Sequence, residues 1–141
     1  MRECRCGTGG TDVLEERRAE VTNEIMSMLM VELPEVTWSK IFKGFQRGKG
    51  TVGSLVSDHI DFKMDAKDQV YALQTFVIII ADSENIDVAD GYGDKVFELL
   101  ECDDVNGKAT IGLFKSIKYA AAPNKAEAGA VLLIYEVKYY V

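Results

Sequence analysis

The sequence predicts an α+β fold: one mainly antiparallel sheet of about five strands with two helices packed on one side. Three observations carry this. Apolar residues recur at helical spacing in two separate segments, alternation at period two marks the segments between and after them, and the resulting order is α-β-β-β-α-β-β. At 141 residues, 48% of them apolar and 28% charged, the chain has the size and composition of a single folded domain. Residues 1–10, rich in Gly, Cys and charge, read as a flexible arm, and residues 11–141 as the domain.

The first helix starts at Thr11 or Asp12, where Asp12 can cap with Glu15 three residues on, and runs to Pro34. Its apolar series is Leu14, Val21, Ile25, Met28 and Leu29. The closing half, Ile25-Met26-Ser27-Met28-Leu29-Met30-Val31, is apolar nearly all round, so it should be covered on more than one side, within the core or also by a neighbouring subunit. Residues 36–42 are β-prone. Residues 44–53, with four glycines and two cations, read as a mobile hairpin loop. A strand at 55–64 alternates His59, Asp61, Lys63 against Ile60, Phe62, Met64. The polar turn Asp65-Ala66-Lys67-Asp68 joins it to a strand at 70–81, making an antiparallel hairpin. Within it Phe76-Val77-Ile78-Ile79-Ile80 is apolar throughout, the pattern of a central strand covered on both faces. Asp87 can cap a second helix at 88–101, with the stripe Ala89, Tyr92, Val96, Leu99, Leu100. After the Asn106-Gly107 turn come strands at 114–120 and 130–141, the last placing Val131, Leu133, Tyr135, Val137 and Tyr139 on one face.

Charge narrows the function classes. Sixteen Lys+Arg against 23 Asp+Glu give a net charge of −7, which repels phosphate and argues against a nucleic-acid-binding module. The N-terminus Met1-Arg2-Glu3-Cys4-Arg5-Cys6-Gly7 lacks the apolar run of a signal peptide and the longest apolar runs are strand-length, so no membrane association and a cytoplasmic location are expected. Catalytic patterns are missing too. Gly44-Phe45-Gln46-Arg47-Gly48-Lys49-Gly50-Thr51 is one residue short of a phosphate-binding loop and puts Gly50 between lysine and threonine; a basic docking loop is the better reading. The stretch Asp82-Ser83-Glu84-Asn85-Ile86-Asp87 starts like a calcium loop but has Asp87 where glycine should stand, so it reads as a helix-capping loop. His59 and Asp61 are the one local acid–base pair, weighed against a solvated strand face.

In its order of elements the chain resembles the tail terminator (tail completion) proteins of long-tailed bacteriophages and related particles. The resemblance rests on the amphipathic helix ending in Leu33-Pro34, the Trp38 strand, the hairpin ending in Thr75-Phe76-Val77-Ile78-Ile79-Ile80, and the helix after Asp87. It continues with Ile117-Lys118-Tyr119 and the closing strand Val131-Leu132-Leu133-Ile134-Tyr135-Glu136-Val137-Lys138-Tyr139. It covers residues 12–141; the Cys4-Arg5-Cys6 arm has no counterpart in the family. The resemblance implies a non-enzymatic virion assembly protein that forms a hexameric ring, caps the head-proximal end of the tail tube, stops its polymerisation and joins tail to head. Implied partners are further copies of itself, the tail tube protein and the head-connector protein, with DNA only passing through the ring. Closed cyclic symmetry needs two different complementary patches per subunit. Expected interface residues are Met26 and Met30 on the first helix, Lys43, Phe45, Arg47 and Lys49 in the basic loop, and Tyr139 and Tyr140 at an edge of the sheet. A small ligand-binding or regulatory α+β domain is the alternative class, and a carboxylate hydrolase using Asp61 a third.

No cofactor is expected, and no metal: Cys4, Cys6 and Cys102 with the single His59 do not form a recognised zinc pattern, so they are expected to be free thiols. Folding should therefore survive a chelator unchanged; stoichiometric zinc in the pure protein, lost together with structure on chelation, would overturn this.

Overall fold

The structure, a computed structural model, describes residues 9–42, 50–123 and 125–141. Its elements run α1 (Gly9–Glu32), β1 (Thr37–Ser39), β2 (Thr51–Met64), β3 (Val70–Asp82), α2 (Ile86–Leu100), β4 (Ile111–Ala122) and β5 (Lys125–Tyr140). The order and class match the sequence reading. The strands form a single sheet in the order β1-β2-β3-β5-β4, antiparallel throughout except for β1 against β2.

Both helices lie on one face of this sheet. Alternate residues of β3 (Ala72, Gln74, Phe76, Ile78, Ile80) and of β5 (Val131, Leu133, Tyr135, Val137, Tyr139) are buried there, because side chains of a strand alternate between faces. Val21, Ile25, Leu29 and Leu33 of the α1 segment and Ala89, Val96 and Leu100 of α2 complete the core. Polar groups drawn into it are paired. The Tyr139 hydroxyl donates to Gln74 Oε1 at 2.9 Å, and Gln74 Nε2 donates to Ser57 Oγ at 2.8 Å. The Tyr135 hydroxyl donates to the Leu100 carbonyl at 2.8 Å, satisfying one of the acceptors that a helix end leaves open. Burial pushes the titration of both tyrosines upward, keeping the phenols neutral donors.

Several boundaries differ from expectation. Helix α1 begins at Gly9, so Asp12 lies within it and the arm of residues 1–10 overlaps it; residues 1–8 lie outside the described residues. The cap of α2 is Asn85, whose side chain accepts from Asp87 N, while Asp82 Oδ1 accepts from the backbones of Glu84 and Asn85. Asp87 falls in the first turn, where its charge suits the helix N-terminus. The expected hairpin over 44–53 is not made: β1 and β2 are parallel, β2 already starts at Thr51, its hydroxyl bonded to Asp82 Oδ2 at 2.7 Å, and residues 43–49 lie outside the described residues. A parallel pair needs a returning connection rather than a tight turn. The 65–68 turn forms as expected, with Asp65 Oδ1 accepting from the backbones of Lys67 and Gln69, which lowers the titration of its carboxyl. Strand β3 is central, but helices cover only one of its faces; Val77 and Ile79 on the other are half-buried.

β1 is held by one close approach. Trp38 pairs with Gly53, and its indole ring occupies the space that a Cβ on Gly53 would need, while Nε1 donates to the Leu33 carbonyl at 3.1 Å. Replacing Gly53 with alanine should displace the only tryptophan and lower stability by about 1–3 kcal/mol. Unchanged tryptophan emission and melting temperature in that variant would contradict this packing.

Candidate assembly surface

Among the described residues no group of three or more His, Cys, Asp and Glu side chains could hold a metal, and no helix is long and apolar enough to cross a membrane. Cys102 is an exposed free thiol after α2. The surface is distinguished by apolar side chains in water.

One set lies at the end of α1. The all-round apolar half was expected to be covered, yet Met30 is 53% and Val31 80% exposed, while Met26 is half-buried against the core. One helix has only one side toward its sheet, so the remainder of such a segment stays uncovered in a single chain. Tyr139 and Tyr140 do not lie on an edge. β5 sits between β3 and β4, Tyr139 is fully buried, and only Tyr140 remains at the surface, at the end of the strand rather than along an edge. Tyr140 donates to Asp65 Oδ2 at 2.9 Å, and its ring meets Tyr71 edge-on at 5.7 Å under the Lys138 ammonium. The reason for the misplacement is topological: the last strand in sequence is inserted between earlier ones, which alternation alone does not reveal. Lys43, Phe45, Arg47 and Lys49 lie outside the described residues.

Sequence reasoning missed the two true flanks of the sheet. β1 pairs with β2 only at Val52, Gly53 and Ser54, so among the described residues no strand pairs the outer side of β2 over residues 58–64. Phe62 and Met64 there are 52% and 60% exposed. Beside them runs an open groove of ≈ 810 Å³ between α1 and β2, lined by Leu14, Arg18, Thr22, Ile60 and Phe62. The opposite flank is β4. Its start is closed by a bridge between Asp103 and Gly112, but residues 115–121 are exposed, Ile117 and Tyr119 among them at 42% and 61%. Periodicity marks strands; it does not say which strand ends up outermost.

On the outer face of β2, where a bulge at Ser57/His59 breaks the register, the sequence-predicted pair does meet: His59 Nε2 is 3.5 Å from Asp61 Oδ2. Its other nitrogen, Nδ1, is 2.6 Å from Asp58 Oδ2. The Asp58 hydrogen bond, aided by the charges of Asp61, Asp58 and Glu136, raises the imidazole's titration above 6.5. All three side chains are half or more exposed, so the trio behaves as a solvated surface network rather than an enclosed acid–base site. A raised folded-state value means that any stabilisation is present below the unfolded pKa and is lost as pH rises through the folded midpoint. The His59 ring resonances should titrate with a midpoint above 6.5 that falls on Asp58→Asn; a midpoint unmoved by that substitution would refute the pairing.

No protein-family profile matches this chain, and no curated protein matches it. Among solved structures, 20 chains match. One belongs to the virion of a native gene transfer agent particle, at 16% identity and a TM-score of 0.63, with 87% of this chain and 93% of that chain covered. At that identity what is shared is the fold.

Proposed function

We propose that this chain is a structural subunit of a phage-like particle and acts as its tail terminator. Copies close into a ring, most simply of six, on the head-proximal end of the tail tube. The ring stops tube growth and presents a face to the head connector, with no catalytic step. The observation that carries this reading is the fold shared, over nearly the whole of both chains, with a chain of a gene transfer agent virion. Two features of the surface support it. Apolar side chains such as Val31, Met30, Met64 and Phe62 stand in water on an isolated chain, which is costly unless another surface covers them. The net charge of −7 suits a bore through which DNA slides without sticking, since negative walls give phosphate no favourable contact. In this reading DNA is a passenger, and assembly takes place in the host cytoplasm before the subunit joins the virion.

The groove between α1 and β2 is the observation that favours the alternative, a small ligand-binding or regulatory domain. It is an open trough along a strand edge rather than an enclosed chamber, and such sites usually bury most of their ligand. A rise in melting temperature with a small molecule would favour that alternative.

Solution mass measured over rising protein concentration, together with copy number in assembled particles, tests the ring. A multiple of the 15.6 kDa chain mass, six-fold in the simplest case, is expected in at least one of the two settings. A chain that is monomeric both free and within its particle would refute it.

A further inference from the structure

From the two flanks that no strand pairs among the described residues, we infer the joint between copies: residues 115–122 of β4 in one copy add, as an antiparallel strand, to residues 58–64 of β2 in the next. The inference rests on the ring reading and adds the identity of its contact surfaces. An open strand edge exposes a row of backbone donors and acceptors that a second chain can satisfy. The two free stretches match in length, each about 25 Å at the usual rise of a strand. Their directions match as well. β2 runs antiparallel to β3, β3 to β5 and β5 to β4, so a copy placed beside β4 with its helices on the same side presents β2 antiparallel. One edge of each kind per copy is the head-to-tail contact that a closed ring requires.

Side chains on both faces agree with this pairing. On the outer face β2 carries His59, Asp61 and Lys63, with Asp58 at the bulge between Ser57 and His59. β4 has its own bulge between Phe114 and Ser116, carries Lys115 there, and Lys118 follows three residues on. Lys115 points to the outer face, where its ammonium lies 3.3 Å from Glu136. Antiparallel addition that sets Asp61 opposite Lys118 makes a favourable cross-strand charge pair on that face. In the same register, on the helix side, Phe62 and the partly buried Ile60 of β2 receive the exposed Ile117 and Tyr119 of β4 respectively. The groove beside β2 is open where those two side chains would arrive.

Charge reversal at one position on each edge tests the joint. Asp61→Lys and Lys118→Asp should each weaken self-association, or incorporation into particles where the ring forms only there, by roughly 10-fold or more. The double variant Asp61→Lys/Lys118→Asp should recover it, and so should an equimolar mixture of the two single variants, since alternating copies then pair opposite charges at every joint. Thermal melting of each variant confirms folding, and recovery in the mixture cannot come from misfolded chains. Rings that persist unchanged in both single variants would overturn the strand-edge joint while leaving the ring standing. Loss in the singles without recovery in the double variant or the mixture would also overturn it, because the effect would then not be pairwise. A wild-type chain monomeric in solution and in particles would remove the ring, and this joint with it.

Discussion

Everything in this fold hangs on the pairing of β3 with β5 over its full length, from Tyr71↔Tyr140 to Asp82↔Gly129. That register puts Phe76 beside Tyr135, Ile78 beside Leu133 and Ile80 beside Val131 on one face, all without solvent access or nearly so. Slipping the register by one residue would turn one strand's set to the other face and leave both helices without a floor. A polar string adds to the constraint. The Ser57–Gln74–Tyr139 hydrogen bonds link β2, β3 and β5 within the core, and any other alignment leaves a buried amide or phenol without its partner.

The same pairing explains why the faces and edges are so unequal. With both helices on one side, the other side of the sheet carries half-buried aliphatic residues such as Val77, Ile79, Leu132 and Ile134, bordered by Lys138, Glu136 and the His59 network. Insertion of β5 between β3 and β4 makes β4 an edge, and the brevity of β1 leaves much of β2 as the other. Natural sheets usually guard such edges with charge, bulges or cover. Here β2 carries one bulge and β4 two irregularities of register, with Asp58, Asp61 and Lys63 on the β2 edge and Lys115 and Lys118 on the β4 edge. Against random partners those devices discourage pairing. In the proposed joint the same edges meet each other, with Asp61 opposite Lys118.

Much of this was legible in the residues alone. The α+β class, the element order, the β2–β3 hairpin with its Asp65 turn, and the buried face Val131, Leu133, Tyr135, Val137, Tyr139 all follow from local periodicity and turn chemistry, which depend only on near neighbours in the chain. The exposed end of α1 was half legible: Met30 and Val31 announced a surplus of apolar surface, but not that the core would leave it uncovered.

What tertiary structure alone decided is neighbourhood. That Tyr139 is buried in an interior strand, that β1 runs parallel to β2, and that β4 and the far half of β2 are the flanks are all facts of strand order. Strand order is set by long-range pairing, as between Tyr71 and Tyr140, 69 positions apart in the chain. Sequence fixes which residues of a strand share a face, because the pleat has period two whatever lies alongside. It does not fix which strand lies alongside, because the backbone groups that make that choice are the same in every residue except proline.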